Sequence, residues 1–359
     1  MRSADAPWSE FPRIPKDLFS KTFRTASGPP LSVIYRTSAQ TVAVLEGDSA
    51  EVWARIFEQG GRLDHALDYV RRNGQFDTEP QGEARDVLAE FLVSLESQGL
   101  LVGRTTPQPS SGAPAKDDPD AGRTAERTIN LWMADHHVLD SLVLELTYRC
   151  NERCVHCYCP SQRDRTELST GALCDVVEEF ESLGGFSLQL TGGELFMRSD
   201  TKALLRFLRG REMVLSIISN LTLLDDETRE LLEELAPRSV GCSIYSVDAA
   251  LHDAVTTIPG SFNRSVRSIR RLRAAGIPVV LKTPLMKDTV SGWADIEAFA
   301  EGLGCSCQFD LNITARNDGG SQPLDLRVRD EDTITRLFAT RFKRLHLHGE
   351  PLAIQGDGP

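Results

Sequence analysis

The second half of the chain alternates short apolar runs with longer segments in which apolar residues recur every three or four positions. The short runs are typical of buried strands, and the longer spacing is typical of the helices that cover them. Strands that alternate with helices form a parallel sheet with right-handed crossovers. The pattern predicts six strands, Val143–Leu146, Ser187–Thr191, Val214–Ser219, Val240–Ile244, Val279–Thr283 and Cys307–Leu311. Helical patterns lie between them, for example at Thr170–Leu183, Glu227–Leu235, Phe262–Ala275 and Trp293–Leu303.

A smaller unit precedes this α/β region. The apolar runs Leu31–Arg36 and Thr41–Glu46 predict two paired strands, and three segments with helical spacing follow them. The next stretch is dominated by Pro, Ser, Gly and Asp and lacks apolar periodicity, which indicates a flexible linker. We therefore divide the chain into an N-terminal extension 1–30, an α+β domain 31–103, a linker 104–128, an α/β domain 129–345 and a tail 346–359.

The composition limits the classes of protein to which this chain can belong. The chain has 359 residues, of which 40% are hydrophobic, enough for two or three domains. No stretch has the length and apolarity of a transmembrane span, and the N-terminus has no apolar signal core. The net charge of −12 argues against nucleic acid as a partner, because such binding relies on Lys and Arg that contact phosphates. We expect neither a nucleic-acid nor a membrane partner.

Three cysteines carry the candidate chemistry. Cys150, Cys154 and Cys157 are spaced C-x3-C-x2-C directly after the first strand of the α/β domain. Three thiolates on one short loop can hold three irons of a [4Fe–4S] cube and leave the fourth iron open to bind and polarise a ligand. The alternative is a structural zinc site, which needs a fourth Cys or His, and Cys159 is the nearest candidate. A cluster also requires a reducing compartment, so we expect a cytoplasmic protein.

The run LELTYRCNERCVHCYCP, followed after the second strand by LQLTGGELF, resembles the radical S-adenosylmethionine (radical SAM) family. The resemblance covers roughly Leu139 to Arg344. It implies a partial (βα)6 barrel, and it implies that the open iron of a [4Fe–4S] cluster, held by the three cysteines, chelates SAM. It also implies a reductase, flavodoxin or ferredoxin as electron donor.

The resemblance further implies which residues contact SAM, and most of them stand at strand ends. The family's GGEPL is GGELF here, and its TNGTLL has become SNLTLL, which leaves the form of that turn open. VGCSIYSVDAALHD is similar to the family's VSIYG…HD pattern. The implied contacts are His156 with adenine, Gly192, Gly193 and Glu194 with the amino group, Ser219 and Asn220 with the ribose or carboxylate, and Ser243 with the carboxylate. Lys282 is a further candidate for the SAM carboxylate, because an unpaired ammonium is costly in an apolar strand.

Each of these positions also has a structural interpretation. Gly192 and Gly193 let the backbone approach a ligand closely, but Gly-Gly-Glu can also be a plain turn with an exposed carboxylate. A Ser-Asn pair at a strand end is a common turn signal. Lys282 lies in an apolar strand, where its ammonium needs a carboxylate partner or must reach the sheet edge. His156 can equally face solvent from its loop.

The smaller unit has a resemblance of its own. The runs VLEGDSAEVWARIFEQGG and DVLAEFLVSLESQGLL resemble the winged-helix-like PqqD domain, also called the RiPP recognition element. The resemblance implies that residues 31–103 bind the leader of a precursor peptide by strand addition, with Thr41–Glu46 as the edge strand. The alternative is a winged helix used for dimerisation or for DNA. DNA is disfavoured because the third helical segment has more acidic than basic residues.

Together these features resemble the radical SAM peptide maturases. The expected reaction is abstraction of a hydrogen atom from the core peptide by a 5′-deoxyadenosyl radical; the product is a thioether, a carbon–carbon crosslink or an inverted stereocentre. Two alternatives remain: a radical SAM enzyme acting on a small molecule such as a porphyrin-derived substrate, and a truncated, non-catalytic leader-binding module. The family's C-terminal SPASM or twitch domain, with its auxiliary clusters, would begin where this chain ends. Cys305 and Cys307 are interpreted as packing residues, with hydrogen-atom donation or a second metal as alternatives.

Overall fold

A computed structural model describes residues 14–15, 18–24, 29–36, 41–74, 80–101, 139, 141–159, 166–211, 213–331 and 333–335. The linker expected at 104–128, the tail 346–359 and most of the extension 1–30 lie outside these residues. None of the helices within the described ranges combines the length and apolar composition that crossing a membrane requires.

The α/β region is a six-stranded sheet in the order β4-β5-β6-β7-β8-β9, with every neighbouring pair parallel. Each strand therefore lies beside its successor in sequence, which is the arrangement of a partial (βα)6 barrel, and the predicted fold class is confirmed. The strands are β4 Ser141–Glu145, β5 Ser187–Thr191, β6 Val214–Ile218, β7 Ser239–Ser243, β8 Val279–Pro284 and β9 Ser306–Asp310. The helices are α4 Thr170–Ser182, α5 Thr201–Leu208, α6 Asp226–Leu235, α7 Ala249–Thr256, α8 Ser261–Ala274 and α9 Trp293–Gly302.

The two faces of this sheet differ in polarity. Alternate residues of a strand point to opposite faces, and residues such as Leu190, Ile217 and Leu281 pack in the core between the sheet and its helices. The other face carries less buried side chains, among them Gln189 and Lys282. The barrel therefore has an apolar outside under the helices and a more polar concave inside.

The N-terminal unit is an antiparallel sheet in the order β1-β2-β3, followed by three helices. The two predicted strands are present, and the structure adds a third, β1, in the segment assigned to the extension 1–30 by sequence. Both faces of β1 are covered, so its apolar residues do not alternate cleanly and gave no strand signal. The elements are β1 Leu18–Phe23, β2 Leu31–Arg36, β3 Thr41–Glu46, α1 Asp48–Glu58, α2 Asp64–Asn73 and α3 Pro80–Ser97.

One face of this small sheet packs on its own helices. Trp53 of α1 is fully buried, and its Nε1 donates a hydrogen bond of 2.7 Å to Oγ of Ser20. The hydroxyl of Ser32 donates to the carbonyl oxygen of Ala50 at 3.1 Å. These buried hydrogen bonds fix α1 against β1 and β2.

The opposite face packs on the base of the barrel. Phe23, Leu31 and Val33 form an apolar cluster with Phe186 and Val214, which stand at the starts of β5 and β6. The rings of Phe23 and Phe186 lie edge to face, with centroids 5.7 Å apart. The N-terminal unit is thus docked at the amino ends of the barrel strands, opposite the end where the cysteine loop lies.

We expect Phe186→Ala to lower the free energy of unfolding by about 3 kcal/mol, because the truncation leaves a cavity between the two units. The measurement is equilibrium unfolding in denaturant. The control is Leu183→Ala, whose side chain is 59% exposed, and a loss of less than about 0.5 kcal/mol is expected there. Equal effects of the two changes would contradict the docked arrangement.

Candidate active site

The loop that carries the three cysteines begins where β4 ends and is tied to neighbouring elements through its backbone. The amide of Leu146 donates to the carbonyl oxygen of Thr191 at 2.9 Å, and the amide of Val155 donates to the carbonyl oxygen of Val255 in α7 at 3.0 Å. A tight turn links the amide of Cys157 to the carbonyl oxygen of Cys154 at 3.0 Å. The loop is therefore held over the carboxyl ends of the strands, as expected for parallel α/β folds.

All three cysteines line one cavity of about 660 Å³. Burial raises the pKa of the Cys150 thiol to about 12 and raises the pKa of Cys154 and Cys157 as well. These thiols need bound cations to become thiolates, and iron supplies that charge. Among the described residues, no three His, Cys, Asp or Glu side chains meet closely enough to hold a single metal ion. A cluster does not require such convergence, because each thiolate binds a different iron.

The two glycines of the Gly-Gly-Glu segment line the same cavity. Gly192 has φ of 137°, a value that favours glycine. A Cβ atom there would overlap the carbonyl oxygen of Thr147, and one at Gly193 would overlap that of Arg149. The close backbone approach that these glycines permit is therefore to the cysteine loop, rather than only to a ligand as the sequence suggested.

Glu194 is completely buried, which removes the alternative of a turn with an exposed carboxylate. Its Oε1 accepts hydrogen bonds from the amide of Phe196 at 3.0 Å and from Oγ of Ser219 at 2.9 Å. Its Oε2 accepts one from the amide of Asn220 at 2.8 Å. Burial raises the pKa of this carboxyl, whereas the hydrogen bonds from these donors lower it. Glu194 thus joins the end of β5 to the end of β6 beneath the cavity, and its contact with SAM stays a prediction.

Ser219, Asn220 and Ser243 all line the cavity from the ends of β6 and β7. The amide nitrogen Nδ2 of Asn220 donates to Oδ1 of Asn151 at 2.8 Å, so Asn220 also fixes the cysteine loop. Leu221 follows with φ of 60°, a backbone conformation typical of glycine, and its side chain is fully buried. The turn left open by the change from Asn-Gly to Asn-Leu therefore keeps a glycine-like backbone, stabilised by packing of the leucine.

His156 and Lys282 occupy different surroundings. His156 lines the cavity, its Nδ1 has no hydrogen-bond partner among the described residues, and burial lowers its pKa to about 4. Its ring is therefore neutral near pH 7 and forms part of the wall. Lys282 is not among the residues lining this cavity, and its Nζ donates to Oε1 of Gln308 on β9 at 2.7 Å. Burial lowers the pKa of Lys282, and Asp310 opposes that shift.

Several residues of the cavity were not identified from the sequence. Tyr245 follows β7, and Glu152 lies within the cysteine loop with 5% exposure and an Oε1 that lacks a partner among the described residues. Burial raises the pKa of Glu152 to about 7. Arg316 comes from the irregular segment after β9, which is held to the cysteine loop by a 2.8 Å bond from the amide of Asn317 to the carbonyl oxygen of Tyr158. Irregular segments have no periodicity, so no sequence signal pointed to Arg316.

The remaining cysteines of interest lie in different places. Cys159 lines the cavity, and its carbonyl oxygen accepts a contact of 3.1 Å from Sγ of Cys157. Cys305 and Cys307 stand at the start of β9 and pack against the apolar core. They are therefore placed away from the cavity, at the opposite end of the strands.

Comparison with known proteins shows what the α/β region is similar to. Residues 144–300 match the family model described as the Radical SAM superfamily. An AdoMet-dependent heme synthase of Oleidesulfovibrio alaskensis is 29% identical over 164 residues, which cover 45% of this chain and 42% of that protein. A PqqA peptide cyclase of Gluconobacter oxydans is 30% identical over 166 residues, which cover 46% of each. The chain thus spans less than half the length of these curated relatives.

A solved structure extends the fold comparison to nearly the whole chain. SuiB of Streptococcus suis, in its crystal structure bound to the precursor peptide SuiA, superposes with a TM-score of 0.56. The alignment covers 92% of this chain and 71% of SuiB at 13% identity, so the likeness concerns the fold alone. Radical SAM domains use a [4Fe–4S] cluster and SAM, and the cofactor prediction is confirmed. The three cysteines around one cavity, and the polar groups at the ends of β6 and β7, fit those two cofactors.

Proposed function

We propose that this chain, which contains a radical SAM domain, modifies a ribosomally synthesised precursor peptide. The observation that carries the proposal is the N-terminal sheet, in which β3 pairs with β2 on one side and has no strand partner on the other among the described residues. An edge strand offers unpaired backbone groups to an extended peptide. A domain that presents such an edge and is docked on a radical SAM barrel suits a substrate that is itself a polypeptide.

The chemistry follows from the two cofactors and from the chain's own residues. When bound, the cluster and SAM supply a 5′-deoxyadenosyl radical that takes a hydrogen atom from an unactivated carbon. Cys150, Cys154 and Cys157 would hold the cluster. Ser219, Asn220 and Ser243 would orient SAM by hydrogen bonds from the strand ends. The segment that contributes Arg316 lines one side of the cavity and would limit the access of water to the reacting groups.

Mass spectrometry of a precursor peptide from the same gene neighbourhood tests the activity. The reconstituted protein, SAM and a strong reductant should alter that peptide and release 5′-deoxyadenosine, whereas the same peptide without its leader should stay unmodified. An unmodified full-length peptide under conditions that cleave SAM would contradict the proposal.

Leader binding has its own test in the edge strand. Successive amides of a strand point to opposite edges. Two neighbouring proline variants, Ala43→Pro and Val44→Pro, therefore differ in effect: one removes a hydrogen bond to β2, and the other removes a donor at the open edge. We expect the full chain to bind the leader at roughly micromolar affinity or better, about −8 kcal/mol. Only the open-edge variant should lose that affinity and keep its circular dichroism. Fluorescence anisotropy measures binding, and Val44→Thr, which keeps the amide, is the control. Retained affinity in both proline variants would remove β3 as the binding edge.

A second candidate function is supported by the heme synthase among the relatives. In that case the barrel acts on a porphyrin-derived small molecule, and the N-terminal unit serves assembly. Modification of an iron porphyrin, with no change in any precursor peptide, distinguishes this function from the first.

A further inference from the structure

We propose that the phenol of Tyr245 donates a hydrogen bond to the cysteine sulfur of the cluster ligand Cys154 and thereby raises the reduction potential of the cluster. Tyr245 is thus a positioning and tuning residue rather than a catalytic one. The inference rests on the cluster assigned above to Cys150, Cys154 and Cys157.

The geometry places the phenol at the cluster loop. Tyr245 follows β7, is 4% exposed, and its hydroxyl lies 3.6 Å from Sγ of Cys154. The side chain packs in an apolar cluster with Val255, Met286 and Ile313, and Cys154 packs against the same cluster. An apolar setting strengthens a hydrogen bond between the two groups that are buried there.

Two histidines orient the tyrosine. Its backbone amide donates to Nδ1 of His252 at 3.3 Å, and the His252 ring packs 5.2 Å from the phenol ring. On the other side, the ring of His156 stands edge to face at 4.9 Å. These packing contacts hold the hydroxyl of Tyr245 within hydrogen-bond reach of Sγ of Cys154.

The effect on the cluster follows from the charge of its ligands. A thiolate bound to iron has no proton, so it can only accept, and the phenol must be the donor. Reduction adds negative charge that is shared with the sulfurs, so a donor to sulfur favours the reduced cluster. Only the difference in strength between the bonds to the reduced and to the oxidised cluster moves the equilibrium. We expect that difference to change the reduction equilibrium about tenfold, which is about 59 mV for a one-electron couple.

A redox titration followed by electron paramagnetic resonance tests the proposal. Tyr245→Phe should bind as much iron as the wild type, about four per chain. Its midpoint potential should become more negative by about 59 mV, which corresponds to the tenfold change in the reduction equilibrium. The matched control is Tyr158→Phe, since this second phenol of the cavity donates to Oε1 of Glu145 at 2.5 Å. Its midpoint should stay unchanged. An unshifted midpoint in Tyr245→Phe, or an equal shift in both variants, overturns the inference.

A second variant covers the case in which Tyr245→Phe assembles poorly. Replacing Tyr245 by 3-fluorotyrosine keeps the ring and makes the phenol a stronger donor, so the midpoint should move to more positive potential. A residue that only fills space would not produce a shift in that direction, and a negative shift contradicts the proposal. Absence of a cluster in the wild type would instead count against the cluster assignment itself.

Discussion

Cys154→Ala protein is expected to hold no [4Fe–4S] cluster after anaerobic reconstitution, whereas the wild type should hold about four irons per chain. Each thiolate of the loop binds one iron, so the variant has only two thiolates left for the cluster. Two ligands hold the cube too weakly for it to remain bound. Cys154 is the most buried of the three ligands, and its loss also removes the partner of Tyr245. Iron and sulfide analysis, together with the visible and paramagnetic signals of the cluster, give the measurement.

The matched control is Cys305→Ala, because Cys305 packs against the core at the other end of the strands. That variant should keep its iron. A wild type with one tightly held zinc and no colour would overturn the cluster assignment. Near eight or twelve irons per chain would mean that Cys159, Cys305 or Cys307 hold further clusters.

The second large effect is expected at Glu194. Glu194→Ala should weaken SAM binding about ten- to a hundredfold while leaving the cluster in place. The change leaves the amide of Asn220 and the hydroxyl of Ser219 without their acceptor, so the ends of β5 and β6 lose the group that joins them. Equilibrium dialysis with labelled SAM measures the affinity, and Glu178→Ala on the exposed side of α4 is the control.

An analogue of SAM without its amino group then separates two roles of Glu194. If the carboxylate contacts the ammonium, the analogue should lose less affinity than SAM in the Glu194→Ala variant. If the carboxylate only positions the loops, both ligands should lose the same amount, as a double-mutant cycle would show. Unchanged affinity for SAM in this variant would exclude Glu194 from both roles.

Much of the barrel could be predicted from the sequence because its strands are buried. Apolar runs such as Ser187–Thr191 stand out against the helical spacing around them, and the structure has β5 within those bounds. The bounds of α5 and α7 were not predicted, since each has only eight residues and short elements show little periodicity. The strand β1 was missed because tertiary contacts on both of its faces, rather than its own pattern, make it a strand.

Only part of the candidate site could be predicted from the sequence, for a similar reason. The cysteines and the Gly-Gly-Glu segment could be found because they follow predicted strands, and strand ends meet at one edge of a parallel sheet. The hydrogen bonds to Glu194 could not be predicted, because the donors on Ser219 and Asn220 follow a different strand and reach the carboxylate only in the folded sheet. Arg316 and Tyr245 acquire their places only when the segment after β9 and the loop after β7 fold over the cysteine loop.

The N-terminal sheet docks at the base of the barrel, so under the proposed function the leader and the reacting residue bind at opposite ends of the molecule. The barrel strands β4 to β7 have five residues each, which at about 3.3 Å per residue gives a height of roughly 16 Å before the loops are added. An extended peptide advances about the same distance per residue. Under the proposed function, a leader held on β3 and a core residue in the cavity must be separated by a spacer of at least about five residues. The height of the barrel would then determine which residues are modified, through their distance along the chain from the leader.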